Sequence, residues 1–271
     1  MRKLIVRLAL LVALLIPVYF AVAALGAKFG LWGWQFGLGT LIVEWGPRFL
    51  ITSLVLGVAA LIAALTSRPR RGTAAAVVAL VIPALGLAYG SHIRSSSDDI
   101  PPIHDISTNA EDPPQYSPQV MAMRNATDAN PVHPPTTPLG SIEAYKSPRF
   151  EDQASRTVAE LSQEAYPELK TLVVRADRPR LFEVLENQAR ERGWRIHSSD
   201  SAGGNLDATA ETFWFGFKDD VAIRVRPARA PGTLLVDARS TSRVGLGDMG
   251  TNAARLTDYL EAVAASLAEA R

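Results

Sequence analysis

The chain has 271 residues, 48% of them hydrophobic and 20% charged, with 28 Lys and Arg against 27 Asp and Glu, a length that suits one or two domains with a real core. It holds no cysteine, which excludes disulfides, thiolate catalysis and thiolate-bound zinc or iron–sulfur sites. The near-neutral total hides a split: residues 1–90 carry eight of the bases (Arg2, Lys3, Arg7, Lys28, Arg48, Arg68, Arg70, Arg71) and a single acid, Glu44. The remainder is net acidic and unsuited to coating nucleic acid, whose binding rests on neutralising phosphates.

Three apolar runs come first. Leu4–Leu25 has one charge, Arg7, near its start and is long enough to cross a hydrocarbon core of ~30 Å. Alone it could be a cleaved signal peptide, but two further uncharged runs, Phe49–Thr66 and Thr73–Gly90, favour three transmembrane helices (about 4–25, 49–66 and 73–90). An odd number of crossings puts Arg2, Lys3 and Arg7 on the same side as the basic connection Ser67–Gly72. By the positive-inside rule that side is the cytoplasm. The C-terminal domain is then periplasmic or extracytoplasmic, on an inner-membrane protein. The connection Lys28–Arg48, with Trp32, Trp34, Phe36 and Trp45, reads as an outer loop carrying an interfacial aromatic belt.

Ten of the 18 prolines fall between Pro101 and Pro148, so residues 91–149 read as an extended arm and linker without regular helix or central strand. Thr108-x-x-Glu111 offers a cap for one helical turn at most. The regular domain spans residues 150–271. Its expected elements are a helix from about Glu151 to Tyr166, a strand at Leu169–Ala176, and a helix N-capped by Asp177 with Pro179 in its first turn, ending near Arg192. Strands follow at Trp194–Asp200, Leu206–Phe217, Asp220–Ala228 and Thr233–Arg243, and then a long helix from Thr251 on which Leu256, Leu260, Val263 and Leu267 share a face. Short turns between the last four strands require antiparallel pairing. The fold class is α+β: an antiparallel sheet of about five strands with helices on one face, in the order β-α-β4-α of TATA-binding-protein-like or helix-grip folds.

Side-chain alternation divides the sheet. Val221, Ile223, Val225, Leu234, Val236 and Ala238 point to the helices; Arg224, Arg226, Asp237, Arg239 and Arg243 point away, with Asp207 and Glu211 beside them. That second face is either an anion-binding surface, partly covered by the arm, or a set of cross-strand ion pairs. In Thr212–Asp220 the three phenylalanines Phe213, Phe215 and Phe217 share one face, as core residues, and Trp214 lies on the other as an exposed ligand-binding candidate.

His104-Asp105 invites a metal reading, but neighbours in an extended segment point apart. His92, His133 and His197 lack ligand spacing. A Ser-His-Asp hydrolase lacks a G-x-S-x-G elbow. Gly245-x-Gly247-x-x-Gly250 follows a strand and precedes a helix, as a dinucleotide-binding fingerprint does. Such a site also needs a second parallel strand with an acidic end, and the sequence runs on only into the helix. Asp248 moreover stands where its carboxylate would cap that helix and occupy the N–H groups a phosphate would use. The run is expected to be a strand-to-helix corner, with no nucleotide, cofactor or metal.

Four blocks, "PPIHDISTNAEDPPQ", "EAYPELKTL", "TFWFGFKDDVAIRVR" and "DARSTSRVGLGDMGTNAARL", resemble the bacterial family known as domain of unknown function 1499, over about residues 100–267. The resemblance implies a domain that commonly follows membrane spans or a signal sequence, and it carries over no activity and no catalytic residue. Two functions remain. One is a non-enzymatic envelope-associated module recognising an anionic lipid, glycan or envelope protein through Arg224, Arg226, Arg239 and Arg243. The other is a hydrolase-like enzyme using His104, Asp105 and Asp112.

Overall fold

The computed structural model describes residues 2–98 and 100–269. The chain divides into two compact units, Met1–Asp99 together with Thr212–Gly216, and Ile100–Glu211 together with Phe217–Arg271.

The first unit is built on α1 (Arg2–Lys28), a π-helical segment (Gln35–Trp45) that runs directly into α2 (Gly46–Thr66), and α3 (Thr73–Asp98). Three helical stretches, of 27, 32 and 24 residues, are long and apolar enough to cross a membrane. The outer loop expected over Lys28–Arg48 is therefore much shorter: most of it is helix continuous with α2, because Gln35–Trp45 is itself apolar and winds on to meet Pro47 at the start of α2. Small residues bring the helices together. Ala9, Ala13, Ala60, Ala64, Ala76 and Ala79 are completely buried in one cluster. A Cβ on Gly57 would stand 2.7 Å from the Ala79 carbonyl oxygen. Lipid gives no hydrophobic drive between helices, so close backbone approach through small residues supplies the packing. Arg2 Nη1 donates to the Pro69 carbonyl (2.8 Å), placing both basic clusters at one end of the bundle.

The second unit contains β1 (Asp105–Ser107), α4 (Pro118–Ala126), three 3-10 turns between Leu139 and Gln153, α5 (Val158–Ala165), β2 (Leu172–Arg175), α6 (Arg178–Glu191), β3 (Arg195–Asp200), β4 (Asn205–Glu211), β5 (Lys218–Pro227), β6 (Thr233–Ser242) and α7 (Thr251–Glu269). The strands form one antiparallel sheet ordered β1-β6-β5-β4-β3. β1 and β2 share the free edge of β6, β2 against Thr233–Val236 and β1 against Arg239–Thr241. The α+β class holds, with six strands instead of five, because three residues of the Pro-rich arm pair as β1.

Local signals set the helices. Asp177 Oδ1 accepts from Arg180 N (2.9 Å) at the start of α6. Thr157 and Glu160 make a reciprocal capping box on α5, which keeps the residues before it out of the helix expected from Glu151. The core lies between the sheet and α6 and α7. Leu206, Ala208, Val221, Ile223, Val236 and Ala238 meet Leu181, Leu185, Leu256 and Val263 there, and Trp194 stacks on Tyr259 with ring centroids 4.7 Å apart. Burial of such aliphatic side chains contributes on the order of 1.5–3 kcal/mol each.

Two expectations fail instructively. The arm does hold a regular helix, α4, which Ser117 caps by accepting from Val120 N and which Pro118 opens. Proline at the first helical position has no N–H to lose, so proline count alone misleads there, and no helical turn forms at Thr108–Glu111. α4 lies on the opposite face of the sheet from α6 and α7, where Tyr116 and Val120 pack on Ala222. The second failure is at residues 212–217: β4 ends at Glu211, and the three phenylalanines belong to a turn, Phe213 being exposed.

Candidate functional site

Arg224, Arg226, Asp237, Arg239 and Arg243, which alternation places on the second face, each have an opposite charge beside them, and the arm seals much of this layer. Asp220 lies at the centre. Its carboxylate accepts from Arg124 Nη1 (2.7 Å), Arg243 Nε (2.9 Å), Arg243 Nη2 (2.7 Å) and Thr209 Oγ1 (2.7 Å). α4 delivers Arg124 because Tyr116, Val120 and Arg124 recur every four residues and so face the sheet together. The Tyr116 hydroxyl donates to the Asp220 carbonyl (2.9 Å) and lies 2.7 Å from Thr241 Oγ1. The guanidinium groups of Arg124 and Arg239 stand 5.7 and 5.4 Å from the Tyr116 ring centre, a distance at which the ring face attracts a cation.

Beside this core, Arg239 holds the Asp105 carboxylate through Nε (2.8 Å) and Nη2 (2.5 Å), and Thr241 Oγ1 donates to the same group (2.7 Å). Burial raises the pKa of both Asp105 and Asp220, but the neighbouring arginines and threonines more than offset it and hold each below the ordinary aspartate value. Burial, reinforced by the charge of Asp105 and, at Tyr145, of Asp248, pushes the Tyr116 and Tyr145 hydroxyls well up. These groups are fixed ions and neutral phenols, positioned by register: Asp220 stands opposite Thr241, and Asp105 also stands opposite Thr241 from the other side of β6.

The third cluster is the accessible one. Arg224 and Asp237 are direct partners across β5 and β6. Asp237 is completely buried and accepts from Thr171 Oγ1 (2.6 Å), Arg224 Nη2 (3.0 Å) and Arg226 Nη2 (2.6 Å). Over the two guanidinium groups lies Asp112 of the arm, 63% exposed. Its oxygens accept from Arg224 Nη1 (3.2 Å) and Nη2 (3.0 Å), its carbonyl accepts from Arg224 Nη2 (2.6 Å), and Arg226 Nη1 is 3.7 Å away. The hydrogen bond from Arg224, with the adjacent Arg226, lowers the Asp112 pKa.

The four arginines therefore do not form one positive patch. Arg239 and Arg243 are buried on Asp105 and Asp220, and only Arg224 and Arg226 reach solvent. Of the acids expected near them, Asp237 is present. Asp207 instead accepts from Ser117 N (3.0 Å) and Ser198 Oγ (3.3 Å). Trp214 stands apart, at the tip of the β4–β5 turn.

His104 lines a narrow cleft with His133, Tyr145, Ser162, Ile142 and three prolines of the arm. Its Nδ1 lies 3.2 Å from the Leu246 carbonyl, to which Tyr145 also donates (2.9 Å). Among the described residues no carboxylate hydrogen-bonds His104, and Asp105 and Asp112 are each committed to an arginine. Burial lowers the His104 pKa against the pull of that carbonyl and of Asp105 and Asp248. A base oriented by a carboxylate, as nucleophilic hydrolysis uses, is not assembled from His104, Asp105 and Asp112. Among the described residues no group of three or more His, Asp and Glu is arranged to hold a metal ion.

The glycine corner closes the site. Gly245 and Gly250 have positive φ (90° and 78°), which a side chain would strain. Asp248 accepts from Gly250 N and Asn252 N (2.9 Å each), filling the amides at the start of α7. Buried Asn252 then ties α7 to the arm through His104 O (3.1 Å) and to β6 through Ser242 Oγ (2.9 Å).

Residues 105–263, from β1 into α7, match the sequence pattern of a family described as a protein of unknown function, DUF1499. The chain belongs to the DUF1499 family. None of the curated proteins matches it. The DUF1499 region begins at β1, at the aspartate that Arg239 holds, so the arm from Asp105 onward and its ion pairs lie inside the family domain. Arg124, Asp220 and Tyr116 were not singled out by the sequence; the four-residue spacing of Tyr116, Val120 and Arg124 behind a Ser-Pro helix start is the signal that points to them.

Proposed function

We propose that the chain is an inner-membrane protein that holds its DUF1499 domain on the extracytoplasmic side as a non-enzymatic binding module, with Arg224 and Arg226 receiving an anionic group of an envelope lipid or glycan. One observation carries the reading: two guanidinium groups share one buried carboxylate, Asp237, and an exposed aspartate of the arm supplies the missing negative charge. A carboxylate or phosphate from outside offers the same acceptors and takes the place of Asp112 on the same donors. The common end of the two basic clusters, joined by Arg2 and Pro69, supports a cytoplasmic N-terminus. The commitment of His104 to a backbone carbonyl favours binding over hydrolysis.

The test uses the full chain in nanodiscs of zwitterionic lipid, titrated with glycerol phosphate as headgroup probe and a uronic-acid oligosaccharide as glycan probe. Asp112→Asn removes the resident charge and tightens binding of one of them about tenfold, equivalent to ~1.4 kcal/mol. Arg224→Ala with Arg226→Ala abolishes it. Absence of binding by both the natural chain and Asp112→Asn sinks the proposal.

A further inference from the structure

The β4–β5 turn carries an aromatic run that the sheet does not use. Phe213 and Trp214 are 71% and 53% exposed, and their rings meet edge to face with centroids 5.2 Å apart. Two large rings at a hairpin tip lose favourable burial in water, and among the described residues neither ring belongs to a buried core cluster. By its contacts the tip Thr212–Gly216 belongs to the compact unit of the three apolar helices. Within that unit Lys28, the last residue of α1, donates Nζ to the Phe213 carbonyl (2.7 Å) and lies 5.1 Å from the Phe213 ring centre. A lysine ending a spanning helix keeps its ammonium at headgroup level and its stem in the apolar layer, so Lys28 marks the depth of the interface. The edge-to-face pair Trp32 and Phe36 belongs to the same end of the helices.

We propose that Phe213 and Trp214 form a second membrane anchor, seated in the interfacial layer of the bilayer that the helices cross. The ligand is lipid. Aromatic rings at headgroup depth bury an apolar body while the indole N–H stays wet. Two rings offer far less than the ~800 Å² per partner of a stable protein interface. The run Thr212–Lys218 contains no acid and ends in a lysine, so nothing in it opposes an anionic leaflet. The inference rests on membrane insertion of α1 to α3 and is independent of ligand binding at Arg224 and Arg226.

The chain has no cysteine, which makes single-cysteine labelling clean. Full-length Phe213→Cys and Trp214→Cys, each keeping the other ring, and Pro231→Cys in the β5–β6 turn as control, are labelled with an environment-sensitive fluorophore in phosphatidylcholine–phosphatidylglycerol nanodiscs. Both tip labels show blue-shifted emission and lose intensity to spin-labelled lipid, while the control loses intensity only to aqueous iodide. As a check without cysteine, brominated lipid quenches the natural chain more than Trp214→Phe. Tip labels open to iodide like the control overturn the proposal. So do labels shielded from both quenchers, which would mean a protein contact instead.

Discussion

Arg124 and Asp220 form an ion pair, 2.7 Å apart, in which neither side chain reaches solvent. It joins a helix of the arm to the middle of the sheet, so the arm is part of the domain's structure. Asp220 also holds Arg243, which leads into the glycine corner, and Arg124 Nη2 reaches the Asn130 carbonyl (2.7 Å), which fixes the chain after α4. One carboxylate thus ties three segments that are far apart in sequence.

Breaking such a pair strands a buried charge and costs about 3–5 kcal/mol. Arg124→Met should fall near the lower bound, since Asp220 keeps Arg243. Asp220→Asn should cost more, because two guanidinium groups then share no carboxylate. The exposed pair Arg180 and Glu183 is the control: Arg180→Ala should cost less than about 1 kcal/mol. Denaturant unfolding of the full chain in detergent checks the order, and equal costs for Arg124→Met and Arg180→Ala would refute it.

Much of this architecture was open to reading from residue patterns. Period-two alternation in Val221–Arg226 and Leu234–Arg243 separates the two faces of the sheet, and the capping role of Asp177 and the periodicity of Leu256 to Leu267 place α6 and α7. Pairing across distance was harder. That Arg239 meets Asp105, and Arg224 meets Asp112, follows from β1 joining the β6 edge, a contact between residues more than a hundred positions apart that no local pattern encodes. The turn at Phe213–Phe217 misled for the opposite reason: alternating aromatics mimic a buried strand, whereas solvent or lipid exposure depends on where the hairpin ends.

Acid should destabilise the domain in two stages. Burial lowers the pKa of His104 and of His197, so below the ordinary histidine value of about 6.5 the unfolded chain binds more protons than the folded one. Their contribution is complete above that pH and is lost as pH falls toward the lowered values. Asp105, Asp112 and Asp220, also lowered, lose their contribution from about pH 4 downward. Asp248 acts with the opposite sign: burial raises its pKa, and its contribution fades as pH rises through that value. His104→Gln with His197→Gln should flatten the stability profile just below about pH 6.5 and leave the more acidic limb. An unchanged slope in the double variant would exclude the histidines as the source.

The corner should report on Asp248 as a cap. Asp248→Ala removes the acceptor of two amides and should destabilise the domain by about 1–2 kcal/mol; Asp248→Asn keeps one acceptor oxygen and should cost less. Neither substitution should create nucleotide binding, since among the described residues no parallel strand pairs beside the corner. Denaturation midpoints and a titration with a dinucleotide decide both points, and binding by the alanine variant would reopen the cofactor reading of the glycines.

In the membrane bundle, Gly57 should be irreplaceable and Gly39 free. A Cβ at Gly57 would meet the Ala79 carbonyl oxygen at 2.7 Å and Leu80 Cα at 2.9 Å, both backbone atoms that cannot turn aside; a Cβ at Gly39 meets nothing within 4 Å. Gly57→Val should therefore push α2 from α3 and loosen an interface that depends on close packing of small residues. Gly39→Ala should be neutral or slightly stabilising, since alanine is the better helix former. Thermal aggregation of the detergent-solubilised full chain measures both, and equal behaviour of the two variants would show that α2 and α3 do not pack through Gly57.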